Sequence, residues 1–329
     1  MVTDTPAIDF DGLSKTYRGG KRALDALTLT VAPGEIFGFL GPNGAGKTTT
    51  IRLLLDLIRP TAGGVRIFGQ PCNDGDPIVR KRVGYLPGDL SVYPGMVVSS
   101  VIDLFASLRE GGVREAWVHE LCTRLELDTG AKMRELSHGN KQKVGVVLAV
   151  MAESDLIILD EPTSALDPLA QRTVLEILRE VRGRGSTVFF SSHNLPEVER
   201  ICDRVAMVRQ GRLVSIQRVE EVVSRRLTTL TVTLGEAPAT DAFVGLDGVR
   251  ETGRGADGTE VHLEASGEVD ALIKVLARYR VLALESAPPS LEAAFLAFYE
   301  ADAPSAGDDD SPSGENDHSQ TPPNDPTGV

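Results

Sequence analysis

The chain has 329 residues, 41% hydrophobic and 25% charged, with 34 Lys and Arg against 47 Asp and Glu and a net charge of −13. This length and balance fit a soluble protein with a real core, room for two domains and a tail. The acidic balance argues against a nucleic-acid partner, no apolar run approaches the ~18 residues of a spanning helix, and an N-terminus with Asp4, Asp9 and no basic or apolar block does not read as a signal peptide.

Residues 1–6 read as a loose end, and one domain is expected over residues 7–217. Alternating apolar residues around Leu24, Leu27, Leu29 and Val31 predict an antiparallel strand. Residues 35–40 predict a second strand and residues 50–58 a helix. Between them, Gly41-Pro42-Asn43-Gly44-Ala45-Gly46-Lys47-Thr48-Thr49 fits the phosphate-loop pattern G-x-x-x-x-G-K-[ST]. The glycines let the backbone bend so that successive N–H groups point at phosphate oxygens. The helix start adds the positive end of its dipole. Lys47 then sets a cation on the β- and γ-phosphates, and Thr48 offers a hydroxyl to Mg²⁺.

Short apolar strands follow at 65–68, 83–86, 156–160, 188–191 and 205–208. Helical stretches lie between them, such as 168–182 with Val174, Leu175, Leu178 and Val181 at helical spacing. This alternation predicts an α/β fold, a mainly parallel sheet with helices on both faces. Residues 91–135 interrupt it with helical pattern, an inserted helical subdomain over about residues 90–153. The strand at 156–160 is wholly apolar until Asp160, which Glu161 follows. A run of that kind suits a central parallel strand, whose carboxyl end is where ligand groups sit. Asp160 can hold Mg²⁺ through its water shell, and Glu161 can reach the attacking water as general base. Cys72, Cys122 and Cys202 are scattered without metal-ligand spacing and read as reduced thiols of a cytosolic protein.

The texture changes after about residue 218. A linker is expected over residues 218–226 and a small α+β domain over 227–300. Leu230, Val232 and Leu234 alternate with threonines, and Val261, Leu263 and Ala265 alternate likewise. Val269, Leu272, Ile273 and Leu276 make a helical stripe, and Ser290 precedes a helix with Leu291, Ala294, Phe295 and Phe298 on one face. Residues 301–329 hold seven acidic groups and no Lys or Arg, and are expected to be disordered; without them the body is only about −6.

Taken together and in this order, the motifs resemble the ATP-binding cassette (ABC) transporter ATPases. Leu136-Ser137-His138-Gly139-Asn140 stands where the family has its L-S-G-G-Q signature. Ser164-Ala165-Leu166-Asp167 matches the loop after the second carboxylate, and Ser191-Ser192-His193 matches the switch-histidine motif. The resemblance covers residues 7–217. It implies a P-loop NTPase (RecA-like) core with an antiparallel β subdomain, the inserted helical subdomain, and hydrolysis of ATP with Mg²⁺. It also implies that Tyr17 stacks on adenine and that His193 contacts the γ-phosphate and holds the attacking water. Ser137, His138, Gly139 and Asn140 would meet ATP held by a second copy, with Asp167 at the seam of that homodimer. A separate membrane permease would anchor the pair to the cytoplasmic face of the cell membrane.

Two departures stand out. The signature carries His138 for the usual Gly and Asn140 for Gln. In Val83-Gly84-Tyr85-Leu86-Pro87-Gly88-Asp89 the family's Gln or Glu after the proline, a metal and water ligand, is Gly88, with Asp89 as a possible substitute. The variant L-S-x-G-N-K-Q-K with a single cassette and a short α+β extension resembles the drug- and polyketide-export branch, whose cargo is drugs, antibiotics or lipid-like compounds. The alternative reading is a regulatory ATPase of the same type working without a permease. Two-cassette translation factors and coiled-coil chromosome ATPases fit less well, since the chain has one phosphate loop and no long coiled coil.

Overall fold

The computed structural model describes residues 5–72, 81–109, 111–224, 227–266 and 269–287. The helix expected after Ser290 and the acidic tail lie outside them. A four-stranded antiparallel sheet comes first in the chain. It joins β1 (Ile8–Thr16), β2 (Arg22–Val31), β4 (Ala62–Ile67) and β5 (Gln70–Pro71) in the order β2-β1-β4-β5. The central sheet has the order β10-β9-β3-β8-β7-β6. Its members are β3 (Ile36–Leu40), β6 (Val83–Leu86), β7 (Leu156–Asp160), β8 (Thr187–Ser192), β9 (Arg204–Arg209) and β10 (Arg212–Arg218). All its pairings are parallel except β9 with β10.

Every residue of β3, β7 and β8 is buried. Period-two alternation then decides which core each side chain joins. Phe37 and Phe39 of β3, Ile158 of β7 and Phe189 of β8 face the antiparallel sheet, among Ile8, Phe10, Leu24 and Leu29. The Phe189 ring has Phe10, Phe37 and Phe39 within 5.4–6.3 Å, centroid to centroid. Ile36, Leu40, Ile157 and Leu159 face the other way, toward the helices. Those are α2 (Val98–Ser107), α3 (Glu115–Arg124), α4 (His138–Val150), α5 (Pro168–Gly183) and α6 (Leu195–Ile201); α1 (Lys47–Leu54) packs on the antiparallel-sheet side. The two-faced layering expected from the sequence is therefore present.

Along α4, Val144, Val147, Leu148 and Met151 stand at the helical spacing of a single apolar face. In the structure Val146, Ala149 and Val150 are buried as well, because α4 runs between the central sheet and the inserted helices. The supposed linker is not a bare connection. Residues 219–224 form a short helix, α7 (Val219–Ser224), and Val219 is buried in the main core. Beyond it, β11 (Leu227–Leu234), β12 (Val249–Arg254), β13 (Glu260–Ser266) and β14 (Val281–Ala287) make an antiparallel sheet in the order β12-β13-β11-β14. Leu230, Val232, Val261 and Leu263 close a separate core with Leu272 and Leu276 of α8 (Asp270–Leu276).

Candidate nucleotide site

The carboxyl ends of β3, β7 and β8 lie side by side, Leu40 paired with Ser192 and Asp160 with Ser191. Where β3 ends, the chain turns through Gly41 to Gly46 and enters α1 at Lys47. Gly46 caps α1 with φ 106°, a left-handed conformation, and a Cβ there would come within 2.7 Å of the Ala23 carbonyl. Only glycine suits that position. No side chain caps the helix and no acid sits in its first turn, so its N–H groups and dipole are left for an anion.

A cleft of about 250 Å³ lies against this turn. Tyr17, Pro42, Asn43, Gly44, Gly46, Lys47, Thr48, Thr49 and Glu161 line it. Gly41 and Ala45 support the loop from behind: the Gly41 carbonyl accepts from Lys47 Nζ at 2.6 Å, and Ala45 is buried in the core. Tyr17 stands at the mouth, its hydroxyl 3.4 Å from Thr49 Oγ1. Lys21, Arg22 and Ala23 also line the cleft, and the sequence reading did not include them. Their signal was a pair of adjacent cations soon after Tyr17 in an acidic chain.

Glu161 is the junction of the site. Its Oε1 lies 3.3 Å from Lys47 Nζ and its Oε2 lies 3.3 Å from His193 Nδ1. Its backbone has φ 51°, rare for a residue with a side chain and costing about 1–2 kcal/mol. Three hydrogen bonds hold it there, one of them from the Ser164 N–H to its carbonyl at 3.1 Å. The Glu161 N–H donates to Ser191 Oγ at 3.0 Å, and its carbonyl accepts from Gln142 Nε2 at 3.0 Å. Ser191 Oγ in turn donates to Asp160 Oδ1 at 2.6 Å, so one hydroxyl aligns both carboxylates.

Asp160 is only 2% exposed. A Cβ on Gly88 would lie 3.4 Å from Asp160 Oδ2, so the position lacking a side chain directly faces the second oxygen of this carboxylate. Asp89 is exposed beside it. Burial, and after it the Asp160 charge, raises the Tyr85 phenol above its ordinary pKa, which keeps it neutral. Among the described residues no three His, Cys, Asp or Glu side chains cluster as a metal cage. Thr48, exposed on the cleft, and the free side of Asp160 suit a magnesium ion that takes most of its oxygens from phosphate and water.

The signature residues are not brought to this cleft within one chain. Ser137 caps α4, accepting the Asn140 N–H at 3.2 Å. Ser137 and His138 face solvent, and Asn140 is half-buried. Gly139 packs so closely on the segment after Glu161 that a Cβ would meet the Ala165 carbonyl at 2.7 Å. Asp167 caps α5, its Oδ1 accepting the Leu169 and Ala170 N–H groups at 3.0 Å each. The Ala170 N–H is the main reason its carboxyl sits below the usual range.

The family model described as ABC transporter matches residues 24–164. The chain is 38% identical over 215 residues to the Nod factor export ATP-binding protein I of Paraburkholderia xenovorans, covering 64% of this chain and 70% of that protein. It is 32% identical over 304 residues to the protein of the same name from Rhizobium etli, covering 88% and 92%. A solved ATP-binding subunit of an ABC transporter superposes with a TM-score of 0.60 at 30% identity, covering 66% of this chain and 91% of that one. The chain thus belongs to the ABC transporter family, as an ATP-binding subunit that hydrolyses ATP.

Proposed function

We propose that this subunit drives a separate membrane permease and that the coupled transport is export. The observation that carries the hydrolytic part is the Glu161 carboxylate, held between Lys47 Nζ and His193 Nδ1 at 3.3 Å from each. In this reading Lys47, the loop N–H groups and the α1 dipole neutralise the β- and γ-phosphates. Tyr17 stacks on the adenine. Glu161 takes the proton of the attacking water, and His193 orients that water against the γ-phosphate. Thr48 and Asp160 would hold magnesium, which supplies charge neutralisation between the phosphates. The hydroxyl of Ser191 keeps Asp160 and Glu161 in register for those two tasks.

Ser137 and His138, exposed at the start of α4, support a reaction between two copies. Ser137, His138, Gly139 and Asn140, with Asp167 at the seam, would close over ATP held by the partner, so that nucleotide binding draws a homodimer together. Among the described residues no helix is long and apolar enough to cross a membrane. A groove of about 460 Å³ beside the Gly88 segment is lined by Val92, Tyr93, Pro94, Met96, Leu104 and Phe105. Tyr93 is 77% exposed there, which supports docking of a permease segment at the cytoplasmic membrane face. The direction of transport rests on the relatives named for Nod factor export. Affinity purification of the chain from native membranes tests the reading. Co-purification of a membrane-spanning protein that alters the ATPase rate supports it. Recovery of an ATPase free of such a protein, with a rate indifferent to membrane components, overturns it in favour of the permease-free regulatory ATPase.

A further inference from the structure

A third carboxylate, which none of the motifs names, joins the two halves of the hydrolytic site. Glu197 stands in the first turn of α6 and is only 6% exposed. A buried carboxylate is unfavourable unless its oxygens are hydrogen-bonded. Here Thr163 Oγ1 donates to Glu197 Oε2 at 2.6 Å, with Ser192 Oγ 3.4 Å from the same oxygen, and Asn194 Nδ2 donates to Oε1 at 3.1 Å. The positions of the three donors are what matter. Thr163 is two residues past Glu161, while Ser192 and Asn194 flank His193. One side chain therefore clamps the chain on both sides of the histidine to the segment leaving the proposed base. A cleft of about 200 Å³, bordered by Glu161, Thr163, His193 and Glu197, lies over this junction.

We propose that Glu197 is a positioning residue for ATP hydrolysis. It fixes the 3.3 Å approach of His193 to Glu161 by tying both parent segments to one carboxylate. The inference rests on the roles proposed above for Glu161 and His193. A carboxylate accepts at both oxygens, whereas a glutamine turns an NH₂ toward one of its donors and releases that segment. Glu197 makes no hydrogen bond to Lys47 or to the phosphate loop, whose Gly41 N–H donates to the backbone carbonyl of Ser192 at 3.4 Å and not to the clamped side chains, so the clamp bears on turnover before nucleotide affinity.

The test uses the full chain, with steady-state ATPase kinetics, equilibrium ATP binding and thermal unfolding read together. Glu197→Gln and Thr163→Val are each expected to lower kcat about tenfold to a hundredfold. KM and ATP affinity should stay within about twofold, the split that marks loss of an interaction needed only for the reaction step. Thr163→Ser, which keeps the hydroxyl, should recover most of the turnover. The double substitution should be no slower than the slower single one, because both break one clamp. If Glu197→Gln fails to fold, Thr163→Val and Thr163→Ser carry the same comparison. Wild-type kcat in Thr163→Val, multiplying losses in the double variant, or loss of ATP affinity in step with kcat would overturn the inference. Glu161→Gln in the same series separates the two claims. If it is inactive while the clamp variants turn over normally, only the clamp is wrong; if it turns over normally, the base assignment fails and the clamp with it.

Discussion

The central sheet and the C-terminal sheet solve the same burial problem in opposite ways, and only one of them makes a site. In β3, β7 and β8 both faces are covered, so nothing but the carboxyl ends of the strands is left for polar work. The phosphate loop, Asp160, Glu161 and His193 all stand at those ends. The C-terminal sheet is antiparallel and covered mainly on one face, by α8 and Phe243. Its inner strands β11 and β13 alternate buried with half-exposed residues, and among the described residues no carboxylate or histidine there is buried. Double burial concentrates chemistry at strand ends; single burial spreads polar residues over a surface.

Substitutions on the two sheets should therefore separate cleanly. The largest effect is expected for Glu161→Gln, where loss of a positioned base should lower kcat by about 10²–10⁴-fold, or about 3–5 kcal/mol of barrier, with ATP still bound. Near-normal turnover in a steady-state assay would remove Glu161 from that role. Leu263→Ala in the fully buried centre of β13 should cost about 2–5 kcal/mol of the stability of its own sheet and leave ATP affinity unchanged. Calorimetry alongside nucleotide binding checks this; a parallel loss of affinity would show that the two sheets are energetically one unit.

Gly139→Ala should sharpen the picture at the border of the site. The added methyl would meet the Ala165 carbonyl at 2.7 Å, a backbone atom that cannot swing away, so about 1–3 kcal/mol of strain would fall on the segment after Glu161. Slower hydrolysis is expected in a steady-state assay beside the wild-type chain, and equal rates would contradict it. The smallest effect is expected for Glu153→Gln, in the network where Glu153 pairs with Arg114 at 2.7 Å and Arg184 at 2.6 Å. The hydrogen bond from Arg114, and after it that from Arg184, holds the Glu153 carboxyl below its ordinary value. Its stabilisation is then complete above the unfolded carboxylate range and is lost as pH falls through the lower folded value. The variant should melt about 2 °C lower near neutral pH, and the difference should vanish in acid. Thermal melts across pH 3–7 read this out, and a pH-independent difference would contradict it.

Much of this was legible in the sequence because the cues were local. A glycine-rich turn between an apolar strand and a helix, and an apolar run ending in Asp160 and Glu161, need no tertiary knowledge to read. β10 and β12 were missed as edge strands rich in Arg, Glu, Ser and Gln, where pairing sets the conformation and burial does not, and β1 was missed although Ile8 and Phe10 alternate in it. The side chains that hold the site were missed for another reason. Gln142 acts from inside a helix whose buried residues hide any pattern, and Ser191 and Glu197 become meaningful only when β7, β8 and α6 are side by side. Sequence spacing marks the motif residues at the strand ends, while their supports are fixed by packing between segments far apart in the chain.

The central claim is that the Lys47 turn and the Asp160–Glu161 strand end act on one nucleotide. Equilibrium titration of ATP with magnesium into the wild-type chain and Lys47→Ala tests it most directly. One nucleotide per wild-type chain is expected, with affinity weakened about tenfold to a hundredfold by loss of the charged hydrogen bonds. Equal affinity in the two proteins would contradict it.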